Sequence, residues 1–160
     1  MQTIEVVIES PRATQAKYKY DPKQKLFKLK RLLPLGMVFP YDFGFIPSTI
    51  GEDGDPLDAL VLSEFGSFTG AHLTCRIIGA LKAVQGKEGK KAVRNDRYFL
   101  VPQGSITYSI IESIDQLGKE HNKQIEEFFI NYNKVDGKVF SCLGIIDPEK
   151  ACRLIKKGRE

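Results

Sequence analysis

Asp53, Asp55 and Asp58 fall within six residues, in the string Glu52-Asp53-Gly54-Asp55-Pro56-Leu57-Asp58. Carboxylates crowded like this repel one another, and a fold keeps them together where a cation neutralises them. Hard oxygen donors at this spacing suit Mg²⁺ or Ca²⁺ far better than zinc. Gly54 and Pro56 make the stretch a turn, and a short Asp/Gly/Pro cluster is equally the composition of a solvated surface loop. Spacing alone leaves both readings open. An EF-hand loop is excluded. Asp53, Asp55 and Glu64 fill its first, third and twelfth positions, but Asp58 stands sixth where glycine is required, and Pro56 and the apolar run Leu57 to Leu62 spoil the rest.

The elements around this cluster are mostly strands. Ile4 to Ser10 reads as a strand stopped by Pro11, with Glu9 near its end, where a carboxylate can face into a site. Ala16 to Tyr20 is a second short strand, and Asp21-Pro22 signals a turn. Leu26 to Leu32 alternates apolar and basic residues, which predicts a half-buried strand with one positive face. Leu73 to Val84 and Arg97 to Val101 read as strands joined by a polar, lysine-rich hairpin over 86–95. Several short strands with turn punctuation predict a small barrel.

Helical character arrives late. From Glu120, Ile125, Phe128, Phe129 and Tyr132 recur at i, i+3, i+4 and i+7, the stripe of an amphipathic helix. A short strand over Lys138 to Leu143 follows. A last helix then starts with Asp147 as cap and Pro148 in its first turn, and buries Ala151, Leu154 and Ile155. The expected class is mainly β with α (α+β), as one domain over residues 1–160 without repeats or linkers.

The 160 residues are enough for a full core, with 42% hydrophobic and 28% charged residues. No apolar run approaches the roughly 20 residues of a membrane span. The first residues lack the basic head and apolar stretch of a secretory signal. Cys75, Cys142 and Cys152 are odd in number and show no metal or redox spacing, which favours reduced thiols in a cytoplasm. The net charge of +4 is modest, but basic residues gather over 23–31 and 87–97. Such runs serve either as solvated faces or as an anion-binding surface. The aromatics near them sit in apolar alternation, which argues against nucleic acid as the partner.

The chain is similar to the soluble, Mg²⁺-dependent inorganic pyrophosphatases of the first family. The string Asp53-Gly54-Asp55-Pro56-Leu57-Asp58 matches that family's signature, with Phe45-Ile46-Pro47-Ser48-Thr49 ahead of it. Val7 to Pro11, Lys17-Tyr18, Arg31 and Phe128 to Tyr132 follow the family's order and approximate spacing. The resemblance implies a five-stranded OB-like barrel with flanking C-terminal helices, Mg²⁺ as cofactor, pyrophosphate or another small phosphate-bearing anion as ligand, and a homo-oligomer, a hexamer for chains of this size. It also implies roles. Asp53 and Asp58 match metal ligands, Asp55 the general base and a ligand, and Glu9 an acid in the outer site. Lys17, Arg31 and Tyr132 match phosphate-binding positions.

The departures matter as much. Lys19 stands where the family usually has a glutamate, and Phe39 and Phe43 stand where it has tyrosines. Gln85 and Asn95 replace two aspartates, Arg97 a lysine, Asn133 a lysine and Glu127 a histidine. Lys19 and Arg97 thereby become candidate substrate-binding cations. In formal charge, Glu→Lys moves the site two positive, each Asp→amide one, and Lys→Asn one back. Such a site holds fewer divalent cations, and Lys19 takes part of the charge role of a missing one. Two outcomes are expected: pyrophosphate hydrolysis at reduced or altered rate, or a homologue that binds a phosphate-bearing anion without efficient turnover. Extra residues between Gln85 and Asn95 leave the register open, so that Asn95, Asp96 or Glu88 could face the aspartates; Asp96 does so only if the hairpin bulges.

Overall fold

The computed structural model describes residues 2–159. Its strands are β1 (Thr3–Ser10), β2 (Ala16–Asp21), β3 (Leu26–Leu32), β4 (Asp42–Phe45), β5 (Asp58–Val61), β6 (His72–Lys87), β7 (Val93–Arg94), β8 (Arg97–Pro102) and β9 (Lys138–Ile146). Two α-helices, α1 (Lys119–Val135) and α2 (Pro148–Lys157), flank β9 in sequence.

In β1, Ile4, Val6 and Ile8 point inward in strict alternation and are fully buried. Strand pairing runs β1-β4-β5-β8-β6, and β6 pairs back onto β1, so five strands close into a barrel. One long strand closes the ring. β6 meets β1 with His72 to Arg76 and then swings over to meet β9 from Ala80 onward. The swing occurs at Gly79, where φ is +135° and an added Cβ would come 2.8 Å from the carbonyl oxygen of Ile146. Gly44 is required for a different reason: a Cβ there would lie 2.0 Å from the carbonyl oxygen of Val7, so only glycine lets β4 lie this close to β1.

Helix α2 starts as expected, with Asp147 accepting the amide of Lys150 and Pro148 in the first turn. It packs on β6 and adds Ala151 and Ile155 to the buried cluster that contains Ile4, Val6 and Tyr98. Helix α1 lays Ile125 and Phe129 on Phe99 and Phe140.

The β2–β3 hairpin stands apart as a two-stranded sheet. Its turn is built by Asp21, whose carboxylate accepts the amides of Lys23 and Gln24. The half-buried strand expected over 26–32 is corrected here. Leu26, Leu29 and Leu32 are 57%, 56% and 60% exposed, while Phe27 and Arg31 are the half-buried residues. A register shift pairs Lys17 with Arg31 but Tyr18 with Leu29, leaving Lys30 unpaired and breaking the alternation.

Candidate active site

A cavity of about 490 Å³ opens between the barrel, the β2–β3 hairpin and the end of α1. Its walls carry Glu9, Lys17, Lys19, Asp53, Asp55, Asp58, Arg97 and Tyr132, all of them residues singled out in the sequence. Arg31 is the exception. It does not line the cavity, whereas Asp136 does.

The acidic loop is held by its own backbone. The amide of Gly51 donates to the carbonyl of Asp55 at 2.8 Å, and the amide of Asp55 donates to Asp53 Oδ1 at 3.1 Å. Thr49 Oγ1 donates to the carbonyl of Ile46 and accepts the amide of Leu57, tying the loop to the barrel just before β5. Asp58 then opens β5 and points into the cavity. The Asp53 carboxyl is held above its ordinary range by partial desolvation, reinforced by the charges of Asp58 and Asp55.

Two of the three aspartates are paired to cations. Lys19 Nζ lies 2.9 Å from Asp55 Oδ2, and this bond raises the lysine pKa against the desolvation that lowers it. Arg97 Nη1 lies 2.8 Å from Asp58 Oδ2. Arg97 is itself buried: it donates to the carbonyl of Asn95 and to Gln85 Oε1, and packs over the rings of Phe129 and Phe140. Among the described residues no three His, Cys, Asp or Glu side chains converge to hold an ion. Asp55 and Asp58 are engaged by Lys19 and Arg97 instead.

Glu9 sits beside this group and accepts the amide of Tyr20, joining β1 to β2. Burial first, and then the Asp58 charge, push its carboxyl up to about 7, although the Tyr20 hydrogen bond and Lys19 oppose the rise. The hairpin register is also decided. Asn95 lines the cavity, while Asp96 is turned away: it accepts the amide of Ala83 at 3.0 Å and is gripped by Arg94 through Nε at 2.6 Å and Nη2 at 2.8 Å. Glu88 is exposed at the hairpin tip.

The remaining wall is aromatic. Phe39 and Phe43 pack with centroids 4.7 Å apart, and Phe39 reaches Tyr132 at 5.8 Å. Tyr132 is nearly buried on the apolar stripe of α1 and still lines the cavity. Lys17 Nζ and the Arg31 guanidinium carbon each lie 4.9 Å from its ring centroid. Sequence reasoning missed Asp136. It lies one residue before Gly137 at the end of α1, where an aspartate reads as an ordinary helix-ending turn.

Residues 6–160 match the family model described as inorganic pyrophosphatase. The chain is 34% identical over 154 residues to an inorganic pyrophosphatase of Synechocystis, covering 96% of this chain and 88% of that protein. It is also 32% identical over 158 residues to one from Methanosarcina acetivorans, covering 99% and 91%. The fold superposes on the crystal structure of the inorganic pyrophosphatase from Thermus thermophilus with a TM-score of 0.88 and 32% identity, covering 98% of this chain and 88% of that one.

Proposed function

Because this chain belongs to the inorganic pyrophosphatase family, we propose that it hydrolyses inorganic pyrophosphate to phosphate in the 490 Å³ cavity. The observation that carries this is the cavity wall itself: three aspartates, two of them bonded to cations, stand beside Lys17 in a wall that also carries Lys30, Lys138 and the aromatic rings of Phe39, Phe43 and Tyr132. Lys17 and Lys19 attract the polyanion and meet the charge of the leaving phosphate. Once Lys19 is drawn to the anion, Asp55 is freed to take a proton from water. The water oxygen bonds to phosphorus, the bridging P–O bond breaks, and the leaving phosphate keeps its electron pair.

Mg²⁺ belongs to this proposal. The carboxylate oxygens are the right donors, and Asp53, Asp55 and Asp58 would hold it, with Lys19 and Arg97 sharing two of the three. When bound, it supplies a water of lowered pKa and screens substrate oxygens. Gln85 and Asn95 add only neutral amides, so turnover is slow. A second reading has a specific observation in its favour. Asp55 is already bonded to Lys19 at 2.9 Å, as in a site that holds a phosphate-bearing anion without efficient turnover.

Phosphate release from pyrophosphate with Mg²⁺ or Mn²⁺, measured against Asp55→Asn, separates the two. A rate no better than that of the variant removes the hydrolytic reading, and calorimetry with pyrophosphate then tests the binding one. The proposal extends to a cytoplasmic homo-oligomer. Its support is three free thiols and exposed leucines on and just after β3, Leu26, Leu29, Leu32 and Leu35.

A further inference from the structure

We propose that Asp136 is an internal competitor for the phosphate ligand: its carboxylate occupies Lys17 and Arg31 in the free protein and must be displaced for a phosphate group to engage them. The inference rests on the phosphate-binding reading above. Asp136 follows the last residue of α1, where its amide donates to the carbonyl of Asn133 and the amide of Gly137 donates to that of Lys134. Its backbone is thus part of the helix end, and its side chain is left to face β3.

There the carboxylate takes a two-pronged position on Arg31. Oδ1 lies 2.9 Å from Nε, and Oδ2 accepts from Nη2 at 3.1 Å. The fit is incomplete. Nε is close without being aligned for a hydrogen bond, and Nη1 is buried with no partner among the described residues. Beyond Asp136, Nη2 finds only a long bond, 3.4 Å, to the carbonyl of Tyr132. Lys17 Nζ lies 3.8 Å from the same Oδ2, so two cations share one carboxylate.

That arrangement is what a phosphate would find attractive: a guanidinium fork and an ammonium beside one aromatic ring, with less negative charge present than positive. Burial, and then the neighbouring Lys30, push the Lys17 ammonium down to about 8, and Asp136 only partly restores it. Asp136 is on the cavity wall and Arg31 is not. A ligand in the cavity therefore meets the carboxylate before it meets the guanidinium. Asp136 sets a threshold that a ligand of higher charge crosses more easily.

Calorimetric titration of the wild type and Asp136→Asn with inorganic phosphate and with pyrophosphate, without divalent cation so that turnover does not intervene, tests this. The variant should bind both ligands about three- to fivefold tighter, the scale of one lost like-charge contact in a partly exposed site. In an Arg31→Gln background the gain should be largely lost. The helix end is capped through the backbone, so Asn preserves it; a thermal melt checks folding, and Asp136→Ser repeats the test with a shorter side chain. Equal or weaker binding by folded variants, with the wild type still binding, overturns the inference alone and makes Asp136 a mere support for Arg31. No binding by any of the proteins overturns the proposed function together with it.

Discussion

Asp58 and Arg97 are register partners on the adjacent parallel strands β5 and β8, and Arg97 Nη1 lies 2.8 Å from Asp58 Oδ2. Side chains of register partners leave the sheet on the same face, so this ion pair is written into the strand pairing. A signature carboxylate and a departing family position are thus one structural unit. The unit extends through Gln85, the carbonyl of Asn95 and the rings of Phe129 and Phe140.

Replacing Arg97 should therefore destabilise the fold as well as the site. Arg97→Leu leaves Asp58 and Gln85 without their donor, which is itself buried. The expected loss is about 2–4 kcal/mol, below the figure for a fully buried pair because Asp58 keeps contact with solvent. Arg97→Lys keeps the charge but cannot bridge three acceptors and should lose less. Urea unfolding of both variants checks the order.

Lys19 competes with any divalent cation for Asp55. Lys19→Gln should tighten Mn²⁺ binding, read by electron paramagnetic resonance or calorimetry, by about three- to fivefold, since one partly exposed cation is withdrawn from the carboxylate. Unchanged metal affinity would show that Lys19 has no part in the charge balance of the site.

The Glu9 carboxyl, raised to about 7 from 4.5, keeps its proton in the native state where the unfolded chain has lost it. The native state then binds more protons between these values, so this contribution to stability is full below about pH 4.5 and declines as pH rises through 7. Glu9→Gln should remove that decline, worth up to about 3 kcal/mol. Denaturant midpoints at pH 5 and pH 7.5 for both proteins provide the measurement; parallel shifts in the two would contradict it.

Lys17 should make anion binding pH-dependent on the alkaline side. With its ammonium lowered to about 8 by burial, it loses charge as pH rises through that value, and pyrophosphate affinity should fall there. Lys17→Arg, which stays charged, should flatten the profile. A wild-type affinity constant from pH 7 to 9.5 would refute this assignment.

Most of the elements were legible because they depend on local pattern. The alternation of Ile4, Val6 and Ile8, the spacing of Ile125, Phe129 and Tyr132, and the cap of Asp147 each leave a signal in neighbouring residues. The string from Asp53 to Asp58 was legible for the same reason: its turn is closed by hydrogen bonds within the loop itself. The alternation over 26–32 misled, because a bulge at Lys30 and the separation of the β2–β3 sheet from the barrel decide which side chains are covered.

What the sequence by itself determined is which residue types the site contains and which local elements carry them, since propensity, periodicity and turn chemistry act over a few residues. Only the tertiary structure decided the pairings: Lys19 on Asp55 across 36 residues, Arg31 on Asp136 across 105, and Asn95 rather than Asp96 toward the cavity. An ion pair depends on distance and burial between segments far apart in the chain, and no pattern within either segment encodes that distance. The three aspartates, Lys19 and Arg97 were therefore visible from the start, whereas the pairing of these cations with Asp55 and Asp58, and Asp136 itself, came into view only when the chain closed on itself.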